Sequence, residues 1–197
     1  MLFAIPLLLP VLASDLFGYA LEGPVWPTGS TINEHLAFTG PSNGSLQDGS
    51  GNFNASATNA LILWNQQINL VHLNAVVIGI PGIKGDGQNT AFFSSNVYGM
   101  SFGPGTLAIT IFFYDGSTMK EADNVFNSTI SWDSYRGPLQ YNSKKKQYVI
   151  DFHRVALHEF GHTLGLDHPD DYGQVASAIM NSQISSIDQL QADDITG

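Results

Sequence analysis

A single α/β domain is the fold class the sequence predicts. Three observations predict it: a helix-period segment after residue 54, β-branched and alternating apolar runs between residues 71 and 131, and a return to helical patterning from Asp151. At 197 residues the chain is long enough for one domain with a sizeable core and short for two. No internal repeat or linker divides it, so sheet and helices belong to one body.

Each element has its local reason. Residues 19–26 read as a first strand, stopped by Pro27-Thr28-Gly29, and residues 39–51 form a Gly/Ser/Asn-rich loop. Asn54 can cap a helix over residues 55–67, where Ala60, Leu61, Trp64 and Ile68 recur at helical spacing. The β-branched stretch 71–80 is a strand, and residues 81–89 are a turn-rich loop. Between residues 106 and 114, Leu107, Ile109, Ile111 and Phe113 alternate with smaller or polar neighbours before Asp115-Gly116 turns the chain. A further strand is expected over residues 122–131. Asp151 then caps a helix carrying Val155, Leu157 and Phe160, which ends at Gly165, a residue suited to the left-handed conformation past a helix C-terminus.

Composition narrows the function classes. Hydrophobic residues make up 43% and charged residues 12%, so the chain should fold rather than stay disordered. The net charge is −10, from 17 acidic against 7 basic side chains, which repels phosphate backbones and argues against nucleic acid. The basic run Lys144-Lys145-Lys146 reads as a solvated turn. With no cysteine, disulfides and thiolate metal sites are excluded. The apolar stretch 2–12 is too short to span a bilayer, so no stable membrane insertion is expected. Followed by Ala13 and Ser14-Asp15, it reads as a signal peptide, residues 1–13, with export of a domain over residues 14–197. A truncated start or a buried N-terminal strand are the alternatives, and Ala20 is a second candidate cleavage point.

The chemistry concentrates in His158-Glu159-Phe160-Gly161-His162-Thr163-Leu164-Gly165-Leu166-Asp167-His168. His158 and His162, four apart on a helix, are separated by about 40° and roughly 6 Å of rise, so both imidazoles can reach one ion. Glu159 lies beside them, placed to take a proton from water activated by the ion. A continuing helix would carry His168 away; a turn at Gly165 brings it back as a third ligand. Three neutral imidazoles with one open position make a hydrolytic zinc site. The five fixed positions recur by chance at roughly 1 in 10⁶, at ~1/20 per position. Ordinary helix histidines are therefore a poor account. His35, His72 and His153 are not assigned to metal, and His153 reads as a surface or satisfied core histidine.

This string resembles the metzincin signature of zinc peptidases. Met180, in Ser177-Ala178-Ile179-Met180-Asn181, is the candidate for that clan's Met-turn, which would lie beneath the metal, although as a lone residue it could equally be core. Within the clan the chain is similar to bacterial-type matrixins, through Gly105-Thr106-Leu107-Ala108, Glu121-Ala122-Asp123 with Phe126-Asn127, and Ala192-Asp193-Asp194-Ile195. Serralysins and astacins carry a Tyr two residues beyond the Met, where this chain has Ser182. The resemblance implies a twisted, mostly parallel five-stranded sheet with an antiparallel edge strand, two long helices and a short C-terminal subdomain after Gly165. It implies that the edge strand, residues 106–110, pairs through Leu107 and Ala108 with an extended polypeptide substrate. Residues 181–186 would line the adjoining pocket.

There are departures too. Ile109 stands where animal matrixins place a structural-zinc His, so a second zinc is not expected, and no cysteine switch exists. The family's last helix normally continues past the Asp-Asp-Ile stretch, which suggests a truncated C-terminus. The acidic loops 85–89 and Asp170-Asp171 read equally well as calcium sites or as solvated turns. The expectation is a secreted, monomeric zinc endopeptidase of the extracellular matrix type. A catalytically inactive metzincin-fold binding module, or a hydrolase of non-peptide bonds, are the competing readings.

Overall fold

The computed structural model describes residues 19–40 and 45–196. The predicted signal peptide, residues 1–13, lies outside them. The chain runs β1 (Ala20–Leu21), β2 (Thr31–Ala37), α1 (Phe53–Asn65), β3 (His72–Val77), β4 (Asn89–Ser94), β5 (Ala108–Asp115) and β6 (Thr118–Asn127). It continues through β7 (Trp132–Asp133), β8 (Gln140–Asn142), β9 (Gln147–Asp151), α2 (Phe152–Leu164), β10 (Leu166–Asp167), a 3₁₀ turn (Pro169–Tyr172) and α3 (Ala192–Thr196).

The main sheet has five strands in the order β3-β2-β4-β6-β5. β3, β2, β4 and β6 are parallel, and β5 closes one edge antiparallel to β6. This is the expected mostly parallel sheet with an antiparallel edge strand, and the two thirteen-residue helices are the expected long pair. They pack against each other, with the Trp64 indole of α1 donating to the Leu157 carbonyl of α2 at 2.8 Å. Phe152, at the start of α2, is fully buried and meets the rings of Phe38, Phe53 and Phe126 at 4.8–5.1 Å.

Several boundaries move, each for a visible reason. α1 starts earlier than predicted because Asn52, not Asn54, is the cap: its side chain accepts from Ala55 N at 2.9 Å, while Asn54 accepts from Phe38 N across the loop. β6 covers Thr118–Asn127 rather than residues 122–131, since the Asp115-Gly116 turn is tight enough to pair Asp115 with Thr118 directly. The first strand shrinks to Ala20–Leu21. The edge strand begins at Ala108 and runs to Asp115, so Leu107 precedes it, although the Leu107 carbonyl still accepts from Asn127 N at 2.9 Å. β2 and β4 were not foreseen. Both place polar side chains at core positions, Glu34 in β2 and Asn89 and Thr90 in β4, and this masks the strand period.

Gly165 ends α2 with φ 102°, the left-handed cap expected of it. The N-terminal segment closes over that cap. β1 pairs with β10, Glu22 N donates to the Gly165 carbonyl at 2.9 Å, and the Trp26 indole donates to the Thr163 carbonyl at 2.6 Å.

His153 resolves as a buried core histidine. Its Nε2 lies 2.9 Å from Asn59 Oδ1 and its Nδ1 2.6 Å from Arg136, which fits a neutral ring accepting from the guanidinium. Burial, with the Arg136 charge beside it, pushes the imidazole down to about 3. Its folded value is below the unfolded one, so its stabilising contribution is complete above pH ~6.5 and is lost as pH falls toward 3. The stability advantage of the natural protein over His153→Gln should therefore shrink by up to ~1.4 kcal/mol per pH unit below pH ~6, read by urea unfolding. A difference independent of pH contradicts this assignment.

Candidate metal centre and cleft

α2 carries His158 and His162 one turn apart, and the left-handed cap at Gly165 turns the chain so that β10 delivers His168 to the same point. The three Nε2 atoms form a nearly equilateral triangle with sides of 3.0, 3.1 and 3.1 Å. Among the described residues this is the one group of His, Asp or Glu side chains whose ligand atoms converge closely enough to hold an ion.

The opposite ring nitrogens decide what this triangle can be. His158 Nδ1 donates to the Ile179 carbonyl at 2.8 Å and His162 Nδ1 to the Leu166 carbonyl at 2.7 Å. His168 Nδ1 lies 3.1 Å from Asp171 Oδ2. With the protons on Nδ1, all three Nε2 atoms present lone pairs to one another, an arrangement that is repulsive unless a cation sits among them. Burial pushes His158 down to about 4 and His162 well below its ordinary value, so both rings are neutral at physiological pH, the form a metal would need. Zinc with ~2.0–2.1 Å bonds has N···N edges of about 3.3 Å in a regular tetrahedron, close to the spacing observed. The donor set fits zinc.

Glu159 follows His158 on the helix and is 4% exposed. Burial raises its carboxyl to about 7, against the lowering effect of the Thr110 hydroxyl, which lies 2.7 Å from Oε2. Glu22 and Asp167 line the same cleft as Glu159. Burial and the Asp167 charge together raise Glu22 to about 6, and its carboxylate lies 3.6 Å from His162 Nδ1.

These groups line a cleft of roughly 470 Å³. One wall is the edge of the sheet, with Leu107, Ala108 and Thr110. The facing wall comes from the segment after the 3₁₀ turn, with Asn181, Ser182 and Ile184, as expected of residues 181–186. Asp170 fixes that wall by accepting from Ser182 N at 2.8 Å and Ser182 Oγ at 2.7 Å. At the other acidic loop, Asp86 accepts from Gln88 N, and Glu121 accepts from Gly85 N and Gly87 N. The carboxylates of both loops thus have partners within the protein.

Met180 is 2% exposed beneath the helix and belongs to the main core. A methyl group at Gly161 would overlap its sulfur and lie 3.0 Å from the Trp64 ring. Asp194 of α3 holds this turn in place, accepting from Ile179 N at 3.0 Å and Met180 N at 3.1 Å. Sequence reasoning assigned no role to Gly161, Asp194 or Glu22, read Asp171 only as part of an acidic loop, and Thr110 only as the end of the edge strand. Gly161 lies within the histidine string itself and Asp171 three residues past His168, so both stood in local view; Asp194, Glu22 and Thr110 come from segments distant in sequence.

The sequence profile of the matrixin peptidases matches residues 87–197. No curated protein matches the chain. Among solved structures it is similar to one described as the GM1-bound form of the ECX AB5 holotoxin, at 16% identity and a TM-score of 0.43, covering 85% of this chain and 78% of that one.

Gly161→Ala gains up to ~1 kcal/mol in helix propensity, but forces the Met180 thioether and Trp64 apart in a closed core, at about 1–3 kcal/mol. A net loss of unfolding free energy is expected in denaturant titration of the metal-free protein, together with weaker zinc retention. Unchanged or increased stability would show that Met180 does not press on the helix.

Proposed function

Since the chain belongs to the matrixin family, whose members are zinc-dependent peptidases, we propose that it is a secreted zinc endopeptidase. In this reading His158, His162 and His168 hold the metal and Glu159 is the general base. The observation that carries it is the triangle of Nε2 lone pairs beside a buried carboxylate, at the floor of a cleft bounded by a strand edge. Export is suggested by the apolar stretch 2–12 ending at Ala13.

Bound zinc supplies Lewis acidity, polarising the scissile carbonyl and making water acidic enough to lose a proton near neutral pH. The remaining work falls to the chain. An extended polypeptide adds to the free edge of β5, its main chain satisfied by the backbone at Leu107 and Ala108, which holds the scissile bond over the triad. Side-chain preference is left to the pocket walled by Val155, Asn181 and Ile184. Glu159 takes the proton of the attacking water and delivers it to the leaving amine nitrogen, so the carboxylate is regenerated each turnover. A carboxyl raised toward neutrality by burial suits both halves of that exchange.

Zinc analysis combined with digestion of casein or a peptide library tests the proposal. One zinc per chain and chelator-sensitive cleavage are expected. Glu159→Ala should retain zinc and fold while losing about 10²–10⁴-fold in turnover, the range for a general base. Stoichiometric zinc with no cleavage would instead favour an inactive binding module of the same fold.

A further inference from the structure

A buried polar strip runs from the main sheet to Glu159. Asn124 of β6, fully buried, donates through Nδ2 to Glu34 Oε1 of β2 at 3.1 Å and to Thr163 Oγ1 of α2 at 3.0 Å. The Glu34 contact sets which way the amide faces and turns its oxygen toward Thr110 of the edge strand, 2.8 Å from the hydroxyl, while the Thr163 hydroxyl lies 3.3 Å from the same oxygen. The same hydroxyl is 2.7 Å from Glu159 Oε2.

A threonine hydroxyl has one proton and here meets three acceptors, the third being the Glu159 carbonyl at a longer 3.4 Å. The Glu159 side-chain oxygen is the nearest of these and Asn124 Oδ1 the next. Oε2 is thus held from the side of the sheet, and Oε1 is the oxygen free of protein hydrogen-bond partners among the described residues.

The geometry points to Thr110 as a positioning residue, with Glu34 and Asn124 orienting its hydroxyl so that Glu159 presents one chosen oxygen to the cleft. This rests on the reading of Glu159 as the base. Thr110 does not itself touch the reacting atoms. Its effect is to stop a buried carboxylate from rotating away from the single orientation that catalysis uses.

Thr110→Val keeps the shape and the strand preference and removes only the hydroxyl, whereas Thr110→Ser retains it. The two should be compared with the natural protein by kcat and KM on a fluorogenic peptide, by zinc content, and by crystallography of the Glu159 side chain. Thr110→Val is expected to lose about 10–100-fold in kcat, the scale of a misplaced catalytic group, with KM and zinc content little changed and Glu159 in more than one rotamer. Thr110→Ser is expected to restore kcat to within about threefold, and a single Glu159 rotamer. Natural kcat in Thr110→Val overturns the proposal, and so does a Ser variant as impaired as the Val variant, which would assign the loss to packing. If the natural protein cleaves no peptide, the reading of Glu159 as base fails instead. The Glu159 rotamer in Thr110→Val then decides whether the hydroxyl anchors the carboxylate.

Discussion

The positive φ of 102° at Gly165 is the constraint on which the rest of this structure depends. Any other residue there would adopt a left-handed conformation at a cost of roughly 1–2 kcal/mol. The bend converts a helix that could present two imidazoles into a site that closes with three, because it sends the chain back along α2 instead of onward. It is also braced from outside. Glu22 N bonds to the Gly165 carbonyl, Trp26 bonds to the Thr163 carbonyl, and β1 pairs with β10 on both residues before His168. The N-terminal segment is thus part of the scaffold of the histidine triad, although it contributes no histidine to it.

Around this bend the site is assembled from pieces that each satisfy two demands at once. The carbonyls of Ile179, in the Met180 turn, and of Leu166, in β10, orient His158 and His162 while belonging to segments the fold requires anyway. Met180 fills the space that the missing side chain of Gly161 leaves beneath the helix, and Asp194 fastens the Met180 turn through two backbone bonds. On the sheet side, Glu34, Asn124 and Thr110 place polar groups in what would otherwise be an apolar layer. Burying them costs stability unless each finds a partner, and most do so within the strip that ends at Glu159. One oxygen of Glu34 has none. A polar layer of this kind, retained in a core, is where a fold gives up stability for function.

The same features explain what could be read from the chain. The two long helices, the strands at residues 71–80 and 106–114, the three histidines and the left-handed end of α2 are all encoded locally, by periodicity, capping residues and fixed spacing. β2 and β4 escaped because Glu34, Asn89 and Thr90 occupy core positions where an apolar residue would have revealed the alternation. The cap moved from Asn54 to Asn52 because a cross-chain partner, Phe38 N, claims the Asn54 side chain. The orienting residues of the site were invisible for a similar reason. Thr110 is 49 positions from Glu159 and Asp194 is 14 from Met180, and only the tertiary fold brings such pairs together.

The central claim is that three imidazoles close on one ion, and X-ray absorption at the zinc K-edge of the reconstituted protein addresses it directly. The account predicts three imidazole scatterers at ~2.0–2.1 Å and one further light-atom ligand, with an imidazole lost in His168→Ala. A spectrum with two imidazoles, unchanged by that substitution, would contradict it.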